Sequence, residues 1–146
     1  MPVRSYDDFG GIRAVFKNHL ADDFCTKATA YMKHYRWNTA IFQARTGLSN
    51  NTYSTIINGK LKPTKRTAVA FCVGLALDYR MAVDLLDSAG CSLALNDPTD
   101  EAYDYILSDM RGETIKACNA VLRRRGIPPL GAQERNTNRI GKVTIA

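Results

Sequence analysis

The strongest constraint on this chain is a repeated pairing: a helix-capping residue followed by apolar residues at helical spacing. Behind Asp22-Asp23, residues Phe24, Ala28, Tyr31, Met32 and Tyr35 recur at three- and four-residue steps, as one stripe of a helix does. Asn38 caps a short helix carrying Ile41 and Phe42 that stops at Gly47. Ser49 caps the next, with Tyr53, Ile56 and Ile57 on its inner side, and Asn58-Gly59 ends it. Thr64 precedes Ala68, Val69, Phe71, Cys72 and Leu75; Asp78 precedes Met81, Val83, Leu85, Leu86 and Ala89, with Gly90 placed to stop that helix. Asn96-Asp97-Pro98 starts a helix through Tyr103, Ile106, Leu107 and Met110, its Asp100 and Glu101 suiting the positive end of the dipole. Thr114 opens a last one, through Ile115, Cys118, Val121 and Leu122 to the basic run Arg123-Arg124-Arg125. Ile127-Pro128-Pro129-Leu130-Gly131 then breaks the pattern, and no strand-like alternation survives anywhere. The expected fold is all-α: a compact domain of about five helices within residues 22–90, and a two-helix C-terminal extension over 91–131. Residues 1–21 give no clear reading, and 132–146 read as a basic, flexible tail.

Composition narrows the chemistry. The chain has 146 residues, 45% of them apolar and 23% charged, one domain's worth of ordinary globular sequence. A core of that size needs neither disulfide nor metal. No apolar run approaches the roughly 18 residues of a membrane span. The start, MPVRSYDDFGG, lacks the apolar stretch of a signal peptide, so a cytoplasmic location is expected. Cys25, Cys72, Cys91 and Cys118 are far apart, form no C-x-x-C pair and have only His19 and His34 to help them. Core filling is therefore expected of the cysteines, and no metal or other cofactor. Phosphate-loop, nucleophile-elbow and zinc-protease motifs are missing from the sequence, and nothing recommends an enzyme.

Charge is segregated. The net of +6 conceals +6 over residues 36–80, −7 over 81–110 and +6 over 111–146. Within the first basic block lie two short helices joined by Gly47-Leu48-Ser49, the spacing of a helix-turn-helix. A glycine at such a turn admits positive φ, so the second helix crosses the first steeply and projects its N-terminal residues outward, where they can enter a major groove. Those residues are Asn50, Asn51, Thr52, Ser54 and Thr55. Asparagine pairs bidentately with adenine, and threonine reaches a thymine methyl or a phosphate. Leu48, Tyr53 and Ile56 are expected to pack inward on Phe42, with Trp37 as a hydrophobic staple ahead of Asn38. Lys60, Lys62, Lys65 and Arg66 follow at once, positioned for phosphates, with Arg36 and Arg45 nearby.

These residues resemble the helix-turn-helix of phage-repressor-type (XRE-like, lambda-repressor-like) regulators. The likeness runs over residues 38–78 in the turn Gly47-Leu48, the Asn58-Gly59-Lys60 loop, Lys62-Pro63 and Gly74-Leu75-Ala76-Leu77. Residues 85–131, with LLDSAGCSLALNDPTD and IPPLG, resemble the C-terminal extension of one bacterial branch of these proteins. By that resemblance Thr39 occupies a phosphate-contacting position, and Asn50, Asn51 and Thr55 occupy base-reading ones. Gln43 departs from a small alanine, and Tyr53 from a β-branched aliphatic residue.

The reading is a sequence-specific double-stranded DNA-binding protein, a bacterial or phage transcription regulator. Homodimerisation is expected through the C-terminal helices, with Tyr103, Tyr105, Ile106, Val121 and Leu122 as interface or core. The alternative is a protein-interaction module that keeps the helix-turn-helix only as a scaffold. The acidic 81–110 block should lie away from DNA, as a solvated surface or facing the tail or a partner. Arg135, Arg139 and Lys142 of the tail either touch phosphates or belong to a flexible terminus.

Overall fold

A computed structural model describes residues 23–131, so the expectations for 1–21 and for the tail 132–146 lie outside the described residues. Within that range the chain is all-α, 64% helical with no strand. Its helices are α1 (Phe24–His34), α2 (Thr39–Thr46), α3 (Asn50–Ile57), α4 (Lys65–Leu75), α5 (Tyr79–Ser88), α6 (Pro98–Asp109) and α7 (Ile115–Arg124). Each begins where a short polar side chain replaces a missing backbone partner. Asp23, Asn38, Ser49, Thr64, Asp78, Asp97 and Thr114 all accept a first-turn N–H. Such a cap contributes about 1 kcal/mol, enough to fix where a short helix starts.

The centre is α4. Every residue from Ala68 to Leu75 is buried, so this helix is apolar all round and is wrapped by α2, α5, α6 and α7. Phe71 collects the aromatic rings, with Phe24 at 5.7 Å, Trp37 at 6.0 Å and Phe42 at 6.2 Å between centroids. Gly74 lets α2 approach closely, since a Cβ there would stand 2.7 Å from Thr46 Cγ2 and 3.0 Å from the Arg45 carbonyl oxygen. One buried cluster runs from Phe24 to Leu130, so residues 91–131 close on the same core as residues 23–90. Leu130 has no exposed surface. The buried Asn119 side chain holds it, accepting the Leu130 N–H at 2.7 Å and donating to its carbonyl at 3.2 Å.

Ile57 and Val83 differ from expectation. Instead of facing inward they are 44% and 40% exposed. Each sits about 100° round its helix from a neighbour that takes the inward arc, Ile56 on α3 and Ala82 on α5. The acidic block also behaves specifically. Asp84 pairs with the buried Lys27 at 2.9 Å, Asp100 with Lys65 at 2.8 Å, and Asp104 accepts the Tyr79 hydroxyl. Of these carboxylates only Asp100 is buried; Asp84 keeps 39% side-chain exposure, and Asp87, Asp97, Glu101 and Asp109 are exposed, so most of the block is solvated surface.

Candidate nucleic-acid interface

The α2–turn–α3 unit is assembled from local chemistry. Trp37 and Phe42, on either side of the Asn38 cap, pack edge-to-face at 6.4 Å, and this staple sets the angle at which α2 begins. Gly47 ends α2 at φ 73°. The buried Thr46 hydroxyl bridges the turn, donating to the Phe42 carbonyl at 2.7 Å and accepting the Leu48 N–H at 3.0 Å. Leu48 and Ile56 are buried, and Tyr53 meets the Phe42 ring at 5.3 Å, so the inward positions fall where the spacing puts them. Gln43 is exposed and does not stand between the helices.

On the outer face of α3, Asn50, Asn51 and Ser54 are exposed and make no side-chain hydrogen bond to other described residues. Thr52 and Thr55 are different. The Thr52 hydroxyl lies 3.0 Å from Ser49 Oγ at the cap, and Thr55 donates to the Thr52 carbonyl at 2.9 Å. Both are half-buried, with their hydroxyls engaged within the helix and its cap. Thr39 is half-buried at the first position of α2, behind its Asn38 cap. An eight-residue helix is about 12 Å long, close to the width of a major groove.

The expected cations separate into two pairs. Lys60 and Lys62 are exposed on the loop after α3, with no acidic partner among the described residues. Lys65 instead donates to both oxygens of Asp100, at 2.9 and 2.8 Å, and Arg66 hydrogen-bonds the buried Tyr103 hydroxyl. The structure therefore brings the asparagines, Ser54, Lys60 and Lys62 to the surface of one short unit and ties Lys65 and Arg66 to α6. Arg45 lies over the Trp37 ring at 5.9 Å, a placement no spacing rule announces.

The turn has a further neighbour that sequence reasoning missed. Gly131 packs so closely on Gly47 that a Cβ on it would stand 2.6 Å from the Gly47 carbonyl oxygen. The Ile115 side chain packs against the same glycine, 3.6 Å from where a Cβ on Gly47 would stand. The extension thus buttresses the joint between α2 and α3. No described group of cysteine, histidine, aspartate and glutamate could hold a metal ion, and no described helix is long and apolar enough to cross a membrane. Compared with known proteins, the chain matches no family model, no curated sequence and no solved structure.

Proposed function

We propose that this protein binds double-stranded DNA through a helix-turn-helix made of α2 and α3, and acts as a transcription regulator. One observation carries the reading. The outer face of a short, capped, well-buttressed helix presents Asn50, Asn51 and Ser54 without side-chain hydrogen bonds to other described residues, beside Lys60 and Lys62, which have no acidic partner among the described residues. Polar groups left free on a rigid element are suited to hydrogen bonds with base edges, and loop lysines to phosphates. Lys60 and Lys62 dock the backbone; Asn50, Asn51 and the Thr55 methyl read the groove; Thr39 at the start of α2 meets a phosphate. Dimer formation through the extension and a cytoplasmic setting belong to the same proposal.

Fluorescence anisotropy on a random-duplex pool, followed by selection of the bound sequences, tests it. Log affinity should fall with log salt by about 0.9 per neutralised phosphate, so a Lys60→Ala/Lys62→Ala variant loses about 1.8 from the slope. Asn51→Ala should weaken binding to the selected site by about 1–3 kcal/mol and leave non-specific binding alone. A folded protein with no duplex affinity at low salt overturns the proposal.

A second reading has its own observation. Ile41 on α2 and Ile57 on α3 are 37% and 44% exposed, apolar surface that suits a protein partner. Co-purification of a partner, released by Ile41→Lys, together with absent duplex binding favours that reading.

A further inference from the structure

A groove of about 530 Å³ opens where the end of α2, the end of α4 and the start of α7 meet, within the roughly 300–1,000 Å³ typical of small-molecule sites. We propose that it binds a free amino acid with a bulky apolar side chain, and that the bound amino acid stiffens the α2–α3 joint.

Three observations carry the inference. The first is an apolar lining that is already in place. Val73, Leu75 and Ala76, buried at the end of α4, supply it together with the half-buried Trp37 and Ile115. Ala76 is held at φ 54° while its carbonyl accepts the Arg111 Nε–H at 2.8 Å, so the fold itself sets this part of the lining. The second observation is a pair of opposite charges. Arg45, from the last turn of α2, and Glu113, from the loop between α6 and α7, both line the groove. Neither has an ion-pair partner among the described residues. A carboxylate without an amine would meet Glu113 as a like charge, and an amine without a carboxylate would meet Arg45 as one. A zwitterion satisfies both, its carboxylate on the planar guanidinium and its ammonium on Glu113, while its side chain lies on the apolar lining. The third observation is position. The Ile115 side chain lines the groove and also packs against Gly47, and Arg45 stands two residues before that glycine. An occupant touching both ties the end of α2 to the start of α7.

Trp37 is the chain's single tryptophan, so its fluorescence in the full chain reads occupancy directly. With phenylalanine and leucine as probes, at least one should saturate the signal with a Kd of about 1 mM or tighter. Phenethylamine lacks the carboxylate and phenylpropionate lacks the ammonium, and each should bind about tenfold more weakly than phenylalanine. Arg45→Met should erase the first preference and Glu113→Gln the second; both side chains are exposed, so the core is left intact. Isothermal titration calorimetry replaces fluorescence for Arg45→Met, which alters the surroundings of Trp37 itself. At ten times Kd the Leu48 N–H, held by the Thr46 hydroxyl at the turn, should exchange about tenfold more slowly. Failure of both probes to saturate overturns the proposal. So does equal binding of phenylalanine and its two analogues, which makes the groove merely apolar. Preferences that survive both substitutions also overturn it, because the site is then elsewhere. Binding that leaves Leu48 exchange unchanged overturns the stiffening. None of these readouts uses duplex, so they stand or fall apart from the function proposed above.

Discussion

Replacing Asp100 separates two roles that Lys65 could play. The Asp100 carboxylate is 4% exposed, receives Lys65 Nζ on both oxygens and accepts the Ala94 N–H at 2.8 Å. Breaking a fully buried ion pair costs about 3–5 kcal/mol. Here the Lys65 side chain keeps 31% exposure, so water partly resolvates its ammonium once the partner is gone. The value for hydrogen bonds to charged groups, about 1.5–3 kcal/mol, is then the better guide. Asp100→Asn should lose about 2 kcal/mol, and Asp100→Ala about 3 kcal/mol, because the Ala94 N–H loses its acceptor as well. In a chain of this size that lowers Tm by about 8 and 12 °C respectively. Urea denaturation measures both, and the pH profile supplies a second check. Burial alone would raise the Asp100 carboxyl, but the hydrogen bonds from Lys65 and Ala94 and the Lys65 charge outweigh it and hold it below the ordinary carboxylate value. A depressed pKa stabilises the fold above the unfolded value near ~3.9, and that contribution disappears as pH falls through the folded one. Wild-type stability should therefore drop more steeply below about pH 4 than that of Asp100→Asn. Lys65→Met should destabilise the fold while leaving the duplex affinity of the folded fraction unchanged. If Asp100→Asn changes stability by less than about 0.5 kcal/mol, and Lys65→Met weakens duplex binding about tenfold, the pair is incidental and Lys65 is a phosphate contact after all.

Arg36 ends α1 at φ 59°, a left-handed conformation that costs a side chain about 1–2 kcal/mol. After the unfolded-state entropy of a glycine is subtracted, Arg36→Gly should gain about 0.5–1 kcal/mol in urea melts. Gly131→Ala and Gly126→Ala both place a Cβ at positive φ, but only the first drives it into backbone, at 2.6 Å from the Gly47 oxygen, while nothing lies within 4 Å at Gly126. Gly131→Ala should therefore be the more destabilising by about 1–3 kcal/mol in the same assay. Burial raises the thiol pKa of Cys72 and pushes that of Cys118 up to about 11, the Glu113 charge adding to the second. In the native protein a thiol-labelling reagent followed by peptide mass spectrometry should find the half-buried Cys91 modified first, and these two only as the fold opens.

Local chemistry was the legible part of this fold. Every helix start was announced by its cap, because a cap and its partner N–H lie within three residues of each other and need no tertiary context. The Trp37–Phe42 staple and the inward triad Leu48, Tyr53 and Ile56 were legible for the same reason. What escaped were contacts between distant residues. Lys27 meets Asp84 and Lys65 meets Asp100, 57 and 35 positions away, and no periodicity says which surface lysine will be drawn inward. In the candidate site this decided which cations are engaged: the basic cluster reads as four equivalent residues, and the fold ties Lys65 and Arg66 to α6 while Lys60 and Lys62 are exposed. Leu130 sits in a stretch whose prolines mark only the end of helix, so its place in the core was invisible.

The contact between Gly131 and Gly47 has a consequence for the order in which this molecule can be made. A ribosome delivers the α2–α3 joint more than eighty residues before the segment that buttresses it, and the slot for Leu130 stands open until then. At about 5–20 residues per second the nascent chain spends several seconds with that apolar slot uncovered, longer than short helices and most small domains need to form. Nascent α2 and α3 therefore have time to form before their brace arrives, and the final closure is a docking step. A chain arrested before residue 130 would display the slot to any hydrophobic segment or chaperone within reach.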